Sequence, residues 1–163
     1  MIYSLQMLSL IKDTLEEMGN KYYSHEAMML IYNTGLVESK YMYLMQKGGG
    51  NIARGFFQCE PWVAVSVCND YLQYREPLMK KIAKVCHLNI GYFIAPRENL
   101  WKDILTTNIK AQIVLCRLHY WRVPKPLPKT THQQAIYWKA FYNSEKGAGT
   151  PEHFMDIVND KKR

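Results

Sequence analysis

The sequence lacks the features that mark several common protein classes. No apolar run approaches the roughly 20 residues that cross a bilayer, so we expect no membrane insertion. The N-terminal apolar stretch has neither a basic leader nor a small-residue cleavage site, and it therefore predicts a helix instead of a signal peptide. None of the four cysteines forms a Cys-x-x-Cys pair and the five histidines have no ligand spacing. We therefore expect buried thiols, no metal ion and no cofactor.

Acidic residues are also scarce, and this imbalance bears on the partner. Of 163 residues, 14 are Asp or Glu and 21 are Lys or Arg, which gives a net charge of +7. A basic surface favours a polyanion such as nucleic acid, an anionic membrane face or an anionic cell-wall polymer. Because the basic residues are scattered instead of forming one dense run, we expect no nucleic-acid partner. The hydrophobic share of 48% fits one globular domain over residues 1–163.

An apolar period of the helical kind runs through almost the whole chain and predicts an all-α fold. The first helix ends at Gly19, and the residues assigned to its buried face are Leu5, Leu8, Ile11, Leu15 and Met18. Further helices are expected over residues 24–38, 61–72, 96–105, 131–143 and 151–159, with one opening at Pro77 and one spanning residues 109–120. A strand remains an alternative within 61–72, because valines alternate at 63, 65 and 67. Residues 48–51 form a glycine-rich loop, and three prolines make 124–128 an extended connector.

One glutamate is suited to acid chemistry. Glu38 falls near the C-terminal end of an apolar helix, beside Leu36, Val37 and Tyr41. Desolvation and the negative end of the helix dipole both disfavour an ionised carboxylate there. A carboxylic acid that stays protonated near neutral pH is what a glycosidase needs to protonate a leaving oxygen. A solvated glutamate that simply ends an amphipathic helix fits the same local pattern, so both interpretations stand at this point.

A longer pattern bears on this choice. Glu38-Ser39 is followed, after a variable loop, by residues 53–61, which read Ala-Arg-Gly-Phe-Phe-Gln-Cys-Glu-Pro. Glu-Ser followed by Ala-x-Gly-aromatic-x-Gln-x-x-Pro resembles the lysozyme-like soluble lytic transglycosylases and goose-type lysozymes, in the form found in cell-wall-degrading proteins of tailed bacteriophages. The resemblance implies a lysozyme-like helical domain with a catalytic groove, in which the glutamate is the catalytic acid.

Two shorter segments follow in the order that this fold would have them. Asn108-Ile109 is similar to the start of the family's Asn-Ile-x-x-Gly helix, and residues 140–143 are similar to its Ala-Ala-Tyr-Asn segment. The chain departs from the pattern at Gln112, where the family has glycine. It departs again at residues 144–146, which are Ser-Glu-Lys in this chain and Ala-Gly-Pro in the family. The motifs therefore span a core of about residues 24–143, and we expect the first and last helices to pack on it.

The resemblance implies a role for each matching residue. Glu38 would protonate the β-1,4 glycosidic oxygen between N-acetylmuramic acid and N-acetylglucosamine and then act as a base. The residues that would bind the substrate are Ser39, Gln58, Tyr142 and Asn143. Ser39 could instead cap the end of the helix, and the other three could serve only in structural packing. Sugar faces stack on aromatic rings, and the candidate platforms are Tyr41, Phe56 and Tyr92.

No second carboxylate stands out, since Glu60 sits where a helix N-terminus is expected and Asp70 and Asp103 are expected to be solvated. This favours a single-glutamate scheme, either a lytic transglycosylase or a muramidase, acting on peptidoglycan strands. The phage resemblance implies an endolysin or a virion-associated lysin, with phage particle components as further partners and the host cytoplasm or the virion as its location before it reaches the wall. The alternatives are a non-catalytic lysozyme-like module that binds the wall or builds the virion, and a basic helical nucleic-acid binder.

Overall fold

The computed structural model describes residues 2–143 and 147–160. Regular structure over these residues is helical, and β-type pairing is limited to isolated bridges of Arg54 with Met45 and with Cys59. The all-α prediction is confirmed. The helices are α1 (Ser4–Met18), α2 (His25–Ser39), α3 (Pro61–Asp70), α4 (Glu76–Val85), α5 (Gly91–Ile94), α6 (Glu98–Thr107), α7 (Ile109–Trp121), α8 (Thr131–Trp138) and α9 (Pro151–Asp160), with short 3-10 segments at Asn20–Tyr22 and Leu72–Tyr74.

The centre of the fold is formed by α2 and α7, which are apolar around most of their circumference. A helix of this kind is stable only when other elements surround it. α1 packs against both helices, α6 and α3 cover α7 from another side, and α9 covers α2. The buried residues of the two central helices include Leu30, Ile31 and Leu36 on α2 and Ile113 and Leu115 on α7. The C-terminal end of α2, which carries Glu38, is thereby held inside the fold.

The predicted buried face of α1 was wrong at its first residue. Leu5 is 64% exposed, whereas Met7, Ile11 and Met18 are buried. At about 100° of rotation per residue, Leu5 lies about 120° around the helix from Ile11, while Met7 lies about 40° from it. The buried stripe therefore begins at Met7 and leaves Leu5 on the solvent side.

The alternating valines form a helix and no strand. They belong to α3, in which Pro61 occupies the first turn, a position that suits its missing N–H group. Val67 is buried, while Val63 and Val65 are half-buried. The helix ends at Asp70, two residues before the predicted end, and a 3-10 segment follows.

The helix predicted over residues 131–143 changes its winding before it ends. α8 stops at Trp138, and Lys139–Asn143 forms a wider π-helical turn. His119 on α7 fixes this turn by donating a hydrogen bond of 2.6 Å from Nε2 to the carbonyl oxygen of Phe141. Single π turns are frequent at functional sites because they change the direction of the side chains they carry.

The cysteines are free thiols. Cys68, Cys86 and Cys116 are buried, and Cys59 is half-buried. Burial raises the pKa of Cys59, Cys68 and Cys86 to about 12. These groups are therefore un-ionised at neutral pH and pack as small apolar side chains.

None of the described helices is long and apolar enough to cross a membrane.

Asn108 joins two helices through both ends of its amide. Its Oδ1 accepts a hydrogen bond from the backbone N–H of Ala111 at 2.9 Å, which caps α7. Its Nδ2 donates to the carbonyl oxygen of Cys86 at 2.9 Å, at the end of α4. The start of the central helix is thereby tied to a neighbouring element.

We expect Asn108→Ala to lower the free energy of unfolding by about 1–2 kcal/mol, because the variant loses the cap and the bond to Cys86 together. Asn108→Ser keeps a capping oxygen and should lose about half as much. Urea denaturation of the three proteins measures the difference. Equal destabilisation by alanine and serine would show that the cap contributes nothing.

Candidate active site

An open cleft of about 700 Å³ brings together distant parts of the chain. One wall is formed by residues 43–63, which include the loop after α2 and the first turn of α3, and the other by the π turn and residues 147–149. The volume is in the range of small-molecule sites. Glu38 lines this cleft at the end of α2, together with Gln58, Tyr142 and Asn143.

The end of α2 is fixed by Tyr41, which folds back onto the helix. Lys40 and Tyr41 both have positive φ angles, of 52° and 53°, so the chain reverses immediately after Ser39. The ring of Tyr41 then lies against Gly35, where an added Cβ would be only 2.4 Å from it. The Tyr41 hydroxyl donates to the carbonyl oxygen of Tyr32 at 2.8 Å. These contacts hold Glu38 in the last turn of the helix.

Glu38 has the electrostatic environment of a general acid. Burial of its carboxyl group raises its pKa from 4.5 to about 7, even though the Trp138 indole, which hydrogen-bonds to it, lowers the pKa. The Trp138 Nε1–H group donates to Glu38 Oε1 at 2.8 Å. Near neutral pH the carboxyl group is therefore present in both protonation states, which is the condition for giving and then taking a proton.

Trp138 is itself rigidly packed. Its side chain is 1% exposed, and its ring lies 5.5 Å from that of Phe154 on α9. Gly149 closes the other side, where an added Cβ would be 2.4 Å from Trp138 Cη2. The indole can therefore hold the carboxyl group in one position. The sequence does not single out Trp138, because a tryptophan in an amphipathic helix is typical of an ordinary core side chain.

The glycine of the Ala-x-Gly motif is required by close packing. Gly55 has a φ of 75°, a conformation that favours glycine. An added Cβ would lie 2.6 Å from both Gln112 Cδ and the carbonyl oxygen of Leu105. Gln112 occupies the position where the family pattern has glycine, and its Oε1 accepts a hydrogen bond from the backbone N–H of Phe56 at 2.9 Å. Gln112, which departs from the family pattern, thus fixes the loop that carries the rest of the motif.

Ser39 lies beneath the cleft and does not line it, which corrects its assignment to substrate binding. The side chain is 2% exposed, and its hydroxyl donates to the carbonyl oxygen of Phe56 at 2.7 Å. Ser39 Oγ also accepts a hydrogen bond from the backbone N–H of Tyr41 at 3.1 Å. With the hydroxyl engaged by backbone on both sides, Ser39 acts by positioning the loop.

Gln58 is on the cleft wall in a strained conformation. Its φ is 47°, and its Nε2 donates to the carbonyl oxygen of Gly55 at 2.8 Å. Its Oε1 has no hydrogen-bond partner within residues 2–143 and 147–160. This leaves an amide carbonyl in the cleft that can accept a hydrogen bond from a sugar hydroxyl or an acetamido N–H group.

Tyr142 and Asn143 enter the cleft from the π turn. The Tyr142 hydroxyl donates to the carbonyl oxygen of Phe57 at 2.7 Å, so in this structure it fixes the loop and is not hydrogen-bonded to Glu38. Its ring stacks on that of Tyr120 at 5.2 Å. Asn143 Oδ1 accepts from Lys139 Nζ at 2.9 Å.

The aromatic surface of the cleft differs from the expected platforms. Tyr41 and Phe56 are 2% and 7% exposed and belong to the core, and Tyr92 does not line the cleft. Tyr43 and Trp62 line it instead, with exposures of 39% and 53%. Trp62 directly follows Pro61, the last residue of the motif. This position in the first turn of α3 is the signal that could have identified Trp62 as a cleft residue.

A second carboxylate borders the same cleft. Glu60 is exposed and accepts a hydrogen bond from the indole N–H of Trp62. It precedes α3 as expected, but its side chain makes no capping bond. Asp70 and Asp103 are exposed and lie outside the cleft. Among the described residues, no group of three or more His, Cys, Asp or Glu side chains is arranged to hold a metal ion.

Comparisons with known proteins found no relative of this chain. No protein-family model, curated protein or solved structure matches the chain.

The raised pKa of Glu38 makes stability depend on pH. The folded state retains a proton between about pH 4.5 and 7 that the unfolded chain releases, so stability should fall as pH rises through this window. Glu38→Gln removes that dependence. We expect the difference in the free energy of unfolding, variant minus wild type, to be more positive at pH 8 than at pH 5 by on the order of 2 kcal/mol. Urea unfolding at both pH values measures it. Glu60→Gln, which removes an exposed carboxylate from the same cleft, is the control, and a gain by Glu38→Gln that is the same at both pH values would contradict the assignment.

Proposed function

We propose that the protein is a peptidoglycan-cleaving glycosidase of the lysozyme-like class, acting on the β-1,4 bond between N-acetylmuramic acid and N-acetylglucosamine. The observation that carries the proposal is Glu38, a carboxyl group with a pKa of about 7 that lines a cleft and is held there by the indole of Trp138. General acid catalysis of glycoside cleavage needs a carboxylic acid of this kind.

The hydrogen bond from Trp138 determines which oxygen of the Glu38 carboxyl group carries the acidic proton. Glu38 Oε1 accepts the indole N–H, so the acidic proton belongs on Oε2. Oε2 has no hydrogen-bond partner within the described part of the chain. It is the oxygen that donates the proton to the glycosidic oxygen as the bond to the anomeric carbon breaks.

The remaining step uses the substrate's own groups. The acetamido oxygen at C2 attacks the anomeric carbon as the leaving sugar departs, and the Glu38 carboxylate then removes a proton from the C6 hydroxyl. The C6 oxygen displaces the acetamido oxygen and gives a 1,6-anhydro product. Water in place of the C6 hydroxyl gives a reducing end. Glu60 is exposed and engaged by Trp62, which makes it a weak candidate for a second catalytic carboxylate and favours this single-glutamate scheme. Of its two outcomes we propose the anhydro product.

The walls of the cleft suit a glycan carrying acetamido and carboxylate groups. Gln58 and Asn143 offer side-chain amides for acetamido groups and hydroxyls. Tyr43 and Trp62 offer ring faces for sugars. Lys47 lies over the ring of Tyr43 at 5.3 Å and supplies a cation at the same wall. The net charge of +7 favours the anionic bacterial wall as a whole.

The biological setting follows from the sequence resemblance together with this chemistry. We propose an endolysin or virion-associated lysin of a bacteriophage, whose substrate is the host wall. The non-catalytic alternative, a wall-binding or virion structural protein, has no need of a carboxyl group with so strongly raised a pKa, and the first experiment below separates the two.

Wild-type protein should clear purified peptidoglycan, and Glu38→Gln should reduce the rate by at least about a thousandfold while still binding the wall. Glu60→Gln, on the rim of the same cleft, should retain most activity. Mass spectrometry of the released muropeptides should show 1,6-anhydro ends. Clearing by Glu38→Gln at the wild-type rate would refute the assignment, and wall binding without muropeptide release by wild type would favour the non-catalytic module.

The alkaline limb of the pH–rate profile should report Glu38. In wild type the rate falls above about pH 7, because the acid must be protonated. Trp138→Phe removes the N–H group that stabilises the carboxylate, so the limb should move to higher pH by about one unit. Trp62→Phe is the control. It alters the cleft wall formed by residues 43–63 and should change KM while the pH of the alkaline limb stays the same. A limb that stays fixed in Trp138→Phe would show that the indole does not tune the acid.

A further inference from the structure

A second cavity, of about 400 Å³, shares no residue with the cleft. It lies where the start of α2, the end of α7 and the proline connector meet. Its described lining includes the cations Lys21, Arg117 and Lys125 and contains no acidic side chain. A concave site with cations and no counter-charge has the electrostatics of an anion site.

Arg117 is the unusual member of this group, because a buried charge normally has a charged partner. Its side chain is 3% exposed, yet it forms no salt bridge with any described residue. Its Nε donates to the carbonyl oxygen of Tyr22 at 2.8 Å, while its two Nη groups have no partner within residues 2–143 and 147–160. Neither Nη is among the fully enclosed atoms that lack a partner. These donors therefore keep some accessible surface, and Arg117 is one of the residues that line the cavity.

The neighbours of Arg117 hold cations together without neutralising them. The guanidinium carbon lies 4.9 Å from the ring centre of Trp121, and Lys21 Nζ lies 5.7 Å from the same centre. Cation–π contacts offset part of the repulsion between the two groups but leave both charges in place. Burial lowers the pKa of Arg117, and no carboxylate counteracts this. The arrangement costs stability unless an anion completes it.

The start of α2 adds to the positive field. Ser24, its N-cap residue, also lines the cavity. The positive end of the dipole of this 15-residue helix favours anions, although the Ala27 N–H group is already bonded to the Ser24 hydroxyl. The acid Glu26, in the first turn of α2, does not line the cavity, but hydrogen bonds from its own backbone and from Ser24 lower its pKa, and its charge offsets part of this field.

We propose that this cavity binds a phosphate group, with the Arg117 guanidinium as the buried anchor and Lys21 and Lys125 as flanking charges. A planar guanidinium pairs with two oxygens of a tetrahedral oxyanion, and lysines add point charges. The ligand is inorganic phosphate or the phosphate ester of a larger molecule. This site is separate from the cleft, so its occupancy stands or falls independently of the glycosidase proposal.

The test is a titration of the full chain at constant ionic strength, in which chloride is replaced by inorganic phosphate, glycerol 3-phosphate or a glycerol phosphodiester. The indole N–H signal of Trp121 in a heteronuclear NMR spectrum reports the cavity. We expect a saturable shift in wild type. Lys21→Gln/Lys125→Gln changes two exposed side chains and should weaken binding by about tenfold or more. Lys84→Gln/Lys102→Gln makes the same change in charge away from the cavity and should leave binding unchanged.

The ester that binds most tightly identifies the source of the phosphate group. A shift that does not saturate, or one that is equal in the two double variants, would overturn the proposal. Cleavage of short soluble glycans, a substrate that minimises charge steering, should proceed in Lys21→Gln/Lys125→Gln at the wild-type rate.

Discussion

The site depends on a balance at one carboxyl group. Removal of water raises the pKa of Glu38, and the single hydrogen bond from Trp138 limits that rise to about 7. The bond joins residues 100 positions apart, from α2 and α8. The small cluster of Ala135, Trp138, Phe154 and Val158 keeps the indole in place. The C-terminal helix α9, which is remote from the motif in sequence, therefore acts on the acid by immobilising its hydrogen-bond donor.

A second constraint fixes the loop around Phe56 and Phe57. Its backbone is held at adjacent residues by three side chains from different elements. Ser39 on α2 donates to the carbonyl oxygen of Phe56, Gln112 on α7 accepts from the N–H of Phe56, and Tyr142 in the π turn donates to the carbonyl oxygen of Phe57. Ser39 and Tyr142, for which the resemblance implied substrate binding, thus support a preorganised wall together with Gln112. Such support is what keeps a catalytic geometry within a fraction of an ångström.

The sequence predicted what is local and missed what depends on distant contacts. Helical period identified the elements, and the position of Glu38 at the end of an apolar helix predicted its raised pKa. Ser39 could not be assigned from sequence, because its direction depends on the reversal of the chain at Lys40 and Tyr41. Trp138 reaches Glu38 only through the packing of α8 on the rest of the fold. The burial predicted for Leu5 was wrong for a simpler reason, since this residue lies about 120° around α1 from Ile11.

The engaged state of Glu38 Oε1 also constrains the stereochemistry of the proposed reaction. With Oε1 held by Trp138, one oxygen must deliver the proton and later remove one, so both transfers occur on the same face of the sugar. Attack by the C6 hydroxyl or by water after an acetamido-assisted step meets this condition and retains configuration. Inversion would need a base on the opposite face. Within the described part of the chain, Glu60 is the only other carboxylate that lines the cleft, and it is exposed and hydrogen-bonded to Trp62. The geometry of a single acid with one working oxygen therefore argues for retention, and it leaves access of water to the cleft to decide between the anhydro and the hydrolysed product.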